Sequence, residues 1–396
     1  MSEYRQSPAE ALSAVVHRLR ARAPVETNEN WAPSKLADAV QRVACDESLV
    51  KPLANGTGLS APMVRWALRT TAESFTVDTL SRLRERAGLG GATWPETTNR
   101  MRLATVVLAG NVFTACLRPL VLSLLYEVPV LARTSSREAS LAEAFARALP
   151  PPYDAACAIT SFARDDDASW EAFFRHADAT HVYGSDETLE AIRARTPIGT
   201  RFVGHGHGLG VAVVRADADT AAASALALDV AAYDQRGCLS PQEVLVVGTP
   251  RAGEAFAERL ADALASIETT LPRGPLPTEL AAASRRWQDV VLATGELFAR
   301  PTAAVAFDPS GMLPFGPGHR HVVVRVLREE DVPRHLATFG RHLKALGLGP
   351  NVPPAWVPAE VVPRVSPIGT MQTPPMDAPL DGLPPSEGYL SFVGLR

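Results

Sequence analysis

The chain has 396 residues, 46% hydrophobic and 21% charged, with a formal net charge of −4. That length suits two or three domains with a sizeable core. Lys and Arg are scattered along it, which argues against nucleic acid as the partner, because a phosphate backbone calls for a concentrated basic face.

Residues 1–100 read as mainly helical. Ser7 is a good helix N-cap, Pro8 suits the first helical position and Glu10 completes a capping box. Leu12, Val15, Val16 and Leu19 then form one apolar stripe. The opening "MSEYRQSPAEALSAVV" lacks a basic segment followed by an apolar core, so a secretory signal is not expected and the cytoplasm is the expected location. The four cysteines, Cys45, Cys116, Cys157 and Cys238, form no CxxC pair. That points away from zinc ribbons and thioredoxin-like chemistry and fits a reducing compartment. Loops are expected near "KPLANGTGLSAP" and "AGLGGATWPETTN".

From residue 102 the rhythm changes. Short apolar runs, "LATVVLAG", "VPVLAR", "AACAIT", "HVYG", "RFVGHG" and "GVAVVR", are separated mostly by helix-like segments at 114–126, 137–149, 168–177 and 186–196. This alternation predicts βαβ units and a largely parallel sheet. The most apolar region, 103–132, is broken by Asn111, Arg118, Pro119 and Glu127, so no span long enough for a bilayer is expected. An alanine-rich helix follows residue 218, then a turn carrying Cys238, then the strand "EVLVVG". More α/β pattern, including "HVVVRVL", runs to about residue 349. The segment 350–396 holds 11 of the 33 prolines and reads as an extended arm lying on the body. The expected division is a helical region 1–100, a dinucleotide-binding domain 101–235, a catalytic domain 236–349 and the arm 350–396.

A doubly wound sheet binds ligands at the carboxyl ends of its strands. In "LAGNVFTA", Asn111 is either a helix cap or a side-chain donor aimed into a site. In "VLARTSSRE", Arg133, Ser135, Ser136 and Arg137 suit a phosphate, or else form an ordinary N-cap with a solvated arginine. In "HVYGSDETLEAIR", Gly184 permits a tight turn and Ser185 caps a helix whose start can hold a pyrophosphate, although Asp186 and Glu187 would oppose an anion if they faced it. No GxGxxG fingerprint is present. His205 and His207 in "GHGHGLG" have no nearby carboxylate or cysteine in sequence, so a backbone turn is favoured over a metal site and no metal is expected. Cys238 follows a glycine at a helix-to-strand turn beside Arg236, a cation that would favour the reactive thiolate.

"AAYDQRGCLSPQEVLVV" resembles the active-site segment of the LuxC-type acyl-CoA reductases, a family within the aldehyde dehydrogenase superfamily. The resemblance extends through "NGTGLSAPMVRWAL", "GNVFTACLRPLVLSLL", "VLARTSSRE", "VYGSDETLEAIR" and "VSPIGTMQTPPMD", in the family's order. It implies an α/β, aldehyde dehydrogenase-like fold, with a Rossmann-like nucleotide-binding domain and an α/β catalytic domain. It implies NAD(P)H-dependent reduction of a fatty acyl-CoA, or an acyl-carrier thioester, to the aldehyde, by a protein expected to self-associate. Cys238 would be the acyl-accepting nucleophile, and Asn111 with the Cys238 backbone N–H would hold the oxyanion. Arg133 and Ser135 would lie near the adenosine ribose, and Gly184 and Ser185 near the pyrophosphate. Arg133 stands where the superfamily usually has lysine, and its fork suits a 2′-phosphate, so NADPH is the expected cofactor, with NADH the alternative. The segment 202–215 contains no carboxylate where hydrolytic relatives place a glutamate base, which favours thioester exchange over hydrolysis, although a neutral His205 or His207 could serve as a base. The alternatives are an aldehyde-oxidising dehydrogenase with a base from elsewhere, or a non-catalytic relative acting as a partner subunit.

Overall fold

The first helix, Pro8–Ala21, begins with the expected capping box: the Ser7 N–H donates to Glu10 Oε2 at 2.8 Å and Ser7 Oγ accepts from the Glu10 N–H at 3.3 Å. The computed structural model describes residues 7–21, 31–89, 98–357 and 364–392. Most of the loop expected at "AGLGGATWPETTN", and residues 358–363 and 393–396 of the arm, lie outside them.

Four more helices follow, Pro33–Ala44, Val50–Thr57, Ala61–Ala72 and Val77–Arg86. Their buried stripes, including Leu36, Val40, Leu53, Met63 and Leu80, share one core with Val106, Leu120, Leu124 and Val130. The first helix instead sends Leu12, Val16 and Leu19 to a second core with Leu131, Phe173 and Phe174. Both faces of the sheet are thereby covered, which is why its strands read as continuous apolar runs rather than alternating ones.

A short strand, β1 (Thr98–Arg100), leads into β2 (Ala104–Val107), β3 (Val130–Arg133), β4 (Cys157–Thr160), β5 (Ala179–Tyr183) and β6 (Arg201–His205). Strands β2–β6 make a five-stranded, all-parallel sheet in the order β4-β3-β2-β5-β6. The order reverses direction at β2, and the crevice outside its carboxyl end is where doubly wound sheets take ligands. The sequence "GNVFT", the "RTSSR" run and "YGS" all leave the sheet at this end.

The second sheet comprises β7 (Leu209–Arg215), β8 (Pro241–Val247), β9 (Glu296–Arg300), β10 (Ala303–Asp308), β11 (His321–Leu327), β12 (Leu343–Leu348) and β13 (Val365–Pro367). Its order is β13-β12-β7-β8-β11-β10-β9, parallel except for β9 against β10. Helices Thr220–Ala231 and Pro250–Ile267 cover one face through Leu226, Val230, Phe256 and Leu260. The change of sheet falls between His205 and Leu209, not at residue 235: β7 and the alanine-rich helix after it belong with the strands of the Cys238 side. The cause lies in the pairing, because β7 lies inside the second sheet, between β12 and β8. The proline-rich arm is extended, as expected, yet it supplies β13 to the second sheet and β14 (Leu390–Phe392), which pairs antiparallel with β1.

Candidate active site

The turn that carries Cys238 is built from three consecutive residues in the left-handed region: Tyr233 (φ 53°), Asp234 (φ 51°) and Gln235 (φ 59°). None is glycine, so the conformation must be imposed from outside. The Asp234 carboxylate accepts from Arg320 Nη2 at 2.9 Å and from the Gly274 N–H at 3.0 Å. The Gln235 amide donates to the carbonyls of Pro241 (2.7 Å) and His321 (3.0 Å), while its oxygen accepts from the His321 N–H at 2.9 Å. The Tyr233 hydroxyl bonds Thr114 Oγ1 at 2.8 Å. After this clamp the chain passes Gly237 and presents Cys238, half-buried, to a cavity of about 1430 Å³.

All six residues assigned by resemblance line that one cavity: Asn111, Arg133, Ser135, Gly184, Ser185 and Cys238. Asn111 is no helix cap. The short helical turn after it, Phe113–Cys116, has Val112 at its start and no side-chain cap. The Asn111 amide instead crosses to the turn and donates to the Arg236 carbonyl at 3.1 Å. Gly110, just before Asn111, lets the loop after β3 pack close, since a Cβ there would sit 2.3 Å from Ser135 Oγ. Ser135 Oγ accepts from the Arg137 N–H at 3.0 Å and so shapes the loop after β3. Ser185 caps helix Asp186–Arg195 by accepting from the Thr188 N–H at 3.3 Å, and a Cβ on Gly184 would meet Thr188 at 2.9 Å. Asp186 turns away to the His207 N–H and to Arg341, both at 3.1 Å; Glu187 stays on the cavity wall.

Two expectations about charge are corrected. Arg236 does not stand over the Cys238 thiol: its guanidinium is drawn to the Thr57 carbonyl (2.6 Å) and Gly58 carbonyl (3.3 Å) beyond the end of helix Val50–Thr57. Burial pushes the Cys238 thiol up to about 11, with the Asp381 carboxylate adding to the rise and the Lys344 ammonium opposing it. Arg133 is buried rather than extended toward a ligand. Its guanidinium donates to the Phe162 carbonyl at 2.7 Å and lies 4.9 and 4.8 Å from the Phe162 and Trp170 rings. Its Nε is buried with no hydrogen-bond partner, and Arg137 and Arg164, both exposed, line the same wall.

The sequence leaves His205 open as a turn residue or a base, and it misses the two residues that the fold sets beside it, Asp381 and Lys344. His205 lines the cavity with its Nδ1 2.7 Å from Asp381 Oδ2, and Lys344 Nζ lies 2.8 Å from Asp381 Oδ1. The segment 202–215 does lack a carboxylate, but the arm brings one to it. His205 and Asp381 are 176 positions apart, so no local signal links them. His207 lines the cavity as well, with its ring 6.5 Å from that of His342. Among the described residues no group of three or more His, Cys, Asp or Glu side chains is placed to hold a metal ion, and no helix is long and apolar enough to cross a membrane.

The fold has many solved counterparts. An oxidoreductase from Marinobacter aquaeolei is 17% identical with a TM-score of 0.76, over 96% of this chain and 87% of that one. Succinate-semialdehyde dehydrogenase from Burkholderia pseudomallei is 16% identical with a TM-score of 0.74, over 97% and 88%. Aldehyde dehydrogenase 21 from Physcomitrella patens, in complex with the reaction product succinate, is 14% identical with a TM-score of 0.73, over 98% and 90%. At these identities the likeness establishes the fold alone. No curated protein sequence matches the chain. The sequence model of the acyl-CoA reductase (LuxC) family, by contrast, matches residues 96–383, most of the chain. With that match added to the two-sheet architecture around Cys238, which is the fold of the aldehyde dehydrogenases above, the chain belongs to the LuxC acyl-CoA reductase family.

Proposed function

We propose that the protein reduces the acyl group of a thioester, an acyl-CoA or acyl-carrier conjugate, to the aldehyde through an acyl-enzyme on Cys238. The observation that supports this reading most is the placement of Cys238 on a clamped left-handed turn, in the wall of a large cavity and beside the Asn111 amide. Cys238 Sγ would attack the thioester carbonyl, the bond to the departing thiol would break, and the acyl group would remain on sulfur. One amide hydrogen of Asn111 is held by the Arg236 carbonyl. The other, with the Cys238 backbone N–H, would donate to the oxyanion, an interaction whose loss typically costs about 10²–10³ in turnover. NAD(P)H, when bound, supplies the hydride that takes the acyl carbon to the aldehyde level.

The cavity wall fits such a dinucleotide. The start of helix Asp186–Arg195, with Gly184 and Ser185, offers N–H groups to a pyrophosphate. Ser135, on the cavity wall, is the residue assigned to the ribose in this reading. A preference for NADPH would rest on exposed Arg137 and Arg164, since the Arg133 guanidinium is already engaged.

Incubation with acyl-labelled acyl-CoA in the absence of cofactor should leave label on the Cys238 peptide, and Cys238→Ala should lose both label and turnover. Label on Cys45, Cys116 or Cys157 would overturn the assignment. A second reading, oxidation of aldehyde to acid, is favoured by the carboxylate-backed His205 in the same cavity. Supplying aldehyde and oxidised cofactor, with and without coenzyme A, separates the two. The reductase reading requires coenzyme A for efficient cofactor reduction; rapid release of free acid without it selects the second.

A further inference from the structure

The glycine-spaced run "GHGHGLG" is not absorbed by the roles given above, and its spacing has a physical cause. A Cβ on Gly206 would sit 2.6 Å from Asp186 Oδ1, and one on Gly210 would sit 2.5 Å from the Leu239 carbonyl oxygen, next to Cys238. A Cβ on Gly208 would lie 2.1 Å from Lys344 Cγ and 2.9 Å from the His342 carbonyl. Gly208 thus clears the passage by which the Lys344 stem, on β12, reaches Asp381. Asp381 itself comes from the arm. It occupies, with Gly382, a tight turn closed by paired backbone bonds between Leu380 and Leu383 (3.0 and 2.9 Å), at φ 53° and 75°. An Asp-Gly pair is suited to such a turn because both positions take positive φ. His205 is oriented from its own strand: it is the register partner of Tyr183 on β5, and the two rings stack at 4.3 Å.

Four segments remote in sequence therefore converge on one wall. His205, Asp381 and Lys344 are 9%, 14% and 11% exposed, so the cluster is largely shielded from bulk water. Burial opposes charge on Asp381, but the bonds from the His205 ring and the Lys344 ammonium together outweigh it and hold the carboxyl below the usual carboxylate range. An ionised carboxylate has no proton to give, so His205 Nδ1 must be the donor in that bond. In its neutral form this ring carries its lone pair on Nε2, the nitrogen that Asp381 does not occupy. On the far side, His181, its ring 6.3 Å from that of His205, is pushed down to about 3, chiefly by burial, and does not compete for the proton. Cys238 shares the cavity and feels the charges of Asp381 and Lys344.

We infer that His205, oriented by Asp381 and Lys344, is the proton acceptor and donor for Cys238 during acyl transfer. This rests on the reading of Cys238 as the acylated nucleophile. In the step, His205 Nε2 takes the thiol proton as sulfur bonds to the thioester carbonyl. The carbon–sulfur bond to the leaving thiol breaks, and the His205 proton passes to that departing thiolate, leaving His205 neutral again. After hydride delivery the thiohemiacetal releases aldehyde, and Cys238 thiolate is reprotonated through His205 from solvent. The sum is one thioester, one reduced cofactor and one proton giving one aldehyde, one thiol and one oxidised cofactor. A thiol that is protonated at neutral pH needs such an acceptor, because the thiolate is the nucleophile. Asp381 and Lys344 are positioning residues in this account.

The test is rapid-mixing acylation of the full chain with labelled acyl-CoA and no cofactor. Variants are His205→Ala, His205→Gln and Asp381→Asn, each checked for fold by circular dichroism. His205→Ala should acylate about 10²–10⁴-fold more slowly, the usual worth of a positioned base. Added imidazole should restore part of the rate. The wild-type rate should slow in deuterium oxide, and the unrescued variant should lose that dependence. Should His205→Ala fail to fold, His205→Gln, of similar size, carries the same expectation apart from the rescue. An unchanged acylation rate in a folded variant overturns the inference, as does a slow folded His205→Ala that imidazole leaves unmoved. Absence of label on wild-type Cys238 instead overturns the nucleophile assignment, so the two failures are distinguishable.

Discussion

At the level of single residues, the balance of charge around Cys238 decides how reactive the thiol is at rest. Burial pushes it up to about 11; Asp381 raises it further and Lys344 pulls it down. Alkylation by iodoacetamide follows the thiolate fraction, so the Cys238 peptide should react slowly at neutral pH and faster until about pH 11. Asp381→Asn removes a negative charge that opposes the thiolate, so the midpoint should fall. Lys344→Met removes a positive charge that favours it, so the midpoint should rise. Mass spectrometry of the Cys238 peptide across pH reads both changes, and a midpoint that ignores both substitutions would show that neither charge reaches the sulfur. Cys238 itself can be singled out in the sequence because "DQRGCLSPQ" is contiguous. Its governing charges cannot, because Lys344 and Asp381 meet only through β12 and the arm. Arg236 is adjacent in sequence and so invites the cation's place, yet the Thr57 and Gly58 carbonyls draw it off.

At the level of elements, the decisive one is the clamped turn between helix Thr220–Ala231 and β8. Alternating apolar strands and amphipathic helices identify most of the parallel elements from sequence, because burial on both faces writes continuous apolar runs. The turn is different. Tyr233, Asp234 and Gln235 carry no glycine or asparagine to announce positive φ, and their conformation is held by Arg320, Gly274, His321 and Thr114, all distant in sequence. The Asp234–Arg320 pair is essentially inaccessible, at 1% and 0% exposure. Glu268 also bonds Arg320 Nη1, at 2.6 Å. Asp234→Ala would leave a buried guanidinium short of one partner and the Gly274 N–H without its acceptor. Breaking a buried pair from one side costs about 3–5 kcal/mol, and urea unfolding should show a loss of that order. Asp234→Asn, which keeps an acceptor for Gly274, should lose less. Because the turn presents Cys238, the folded fraction of either variant should also acylate more slowly than wild type, whereas a stability loss with full acylation would detach the clamp from the site.

For the whole molecule, the arm links the two sheets and completes the cavity. From β13 it passes Asp229, whose carboxylate accepts from the Gly369 and Met371 N–H groups. It then lines the cavity with Gln372, Thr373, Met376 and Asp381. Arg118 holds the Met376 carbonyl at 2.8 Å, and Tyr389 donates to the Pro119 carbonyl at 3.2 Å before β14 pairs with β1. Proline density reveals an extended arm in the sequence, but not its path, which is fixed by such scattered single bonds. Asp229 is the fully buried anchor of that path. Burial pushes its carboxyl from 3.8 up to about 7, against the opposing pull of the arm's N–H groups and Arg364. Between those values the folded protein binds a proton that the unfolded chain has released. The stability contributed by neutral Asp229 is therefore fully present below about pH 4 and is lost as the pH rises through about 7. Asp229→Asn stays neutral throughout and keeps one acceptor oxygen for the arm. The variant's stability relative to wild type should thus increase from pH 4 to pH 8, by up to roughly 4 kcal/mol, because each pH unit between the folded and unfolded titrations is worth about 1.4 kcal/mol. Urea midpoints of both proteins at pH 4, 5, 6, 7 and 8 give that difference, with the titration of every other group cancelling between them. A difference that stays flat would show that Asp229 releases its proton equally in the folded and unfolded chains, and that the arm is anchored by its N–H bonds without any cost of burying charge.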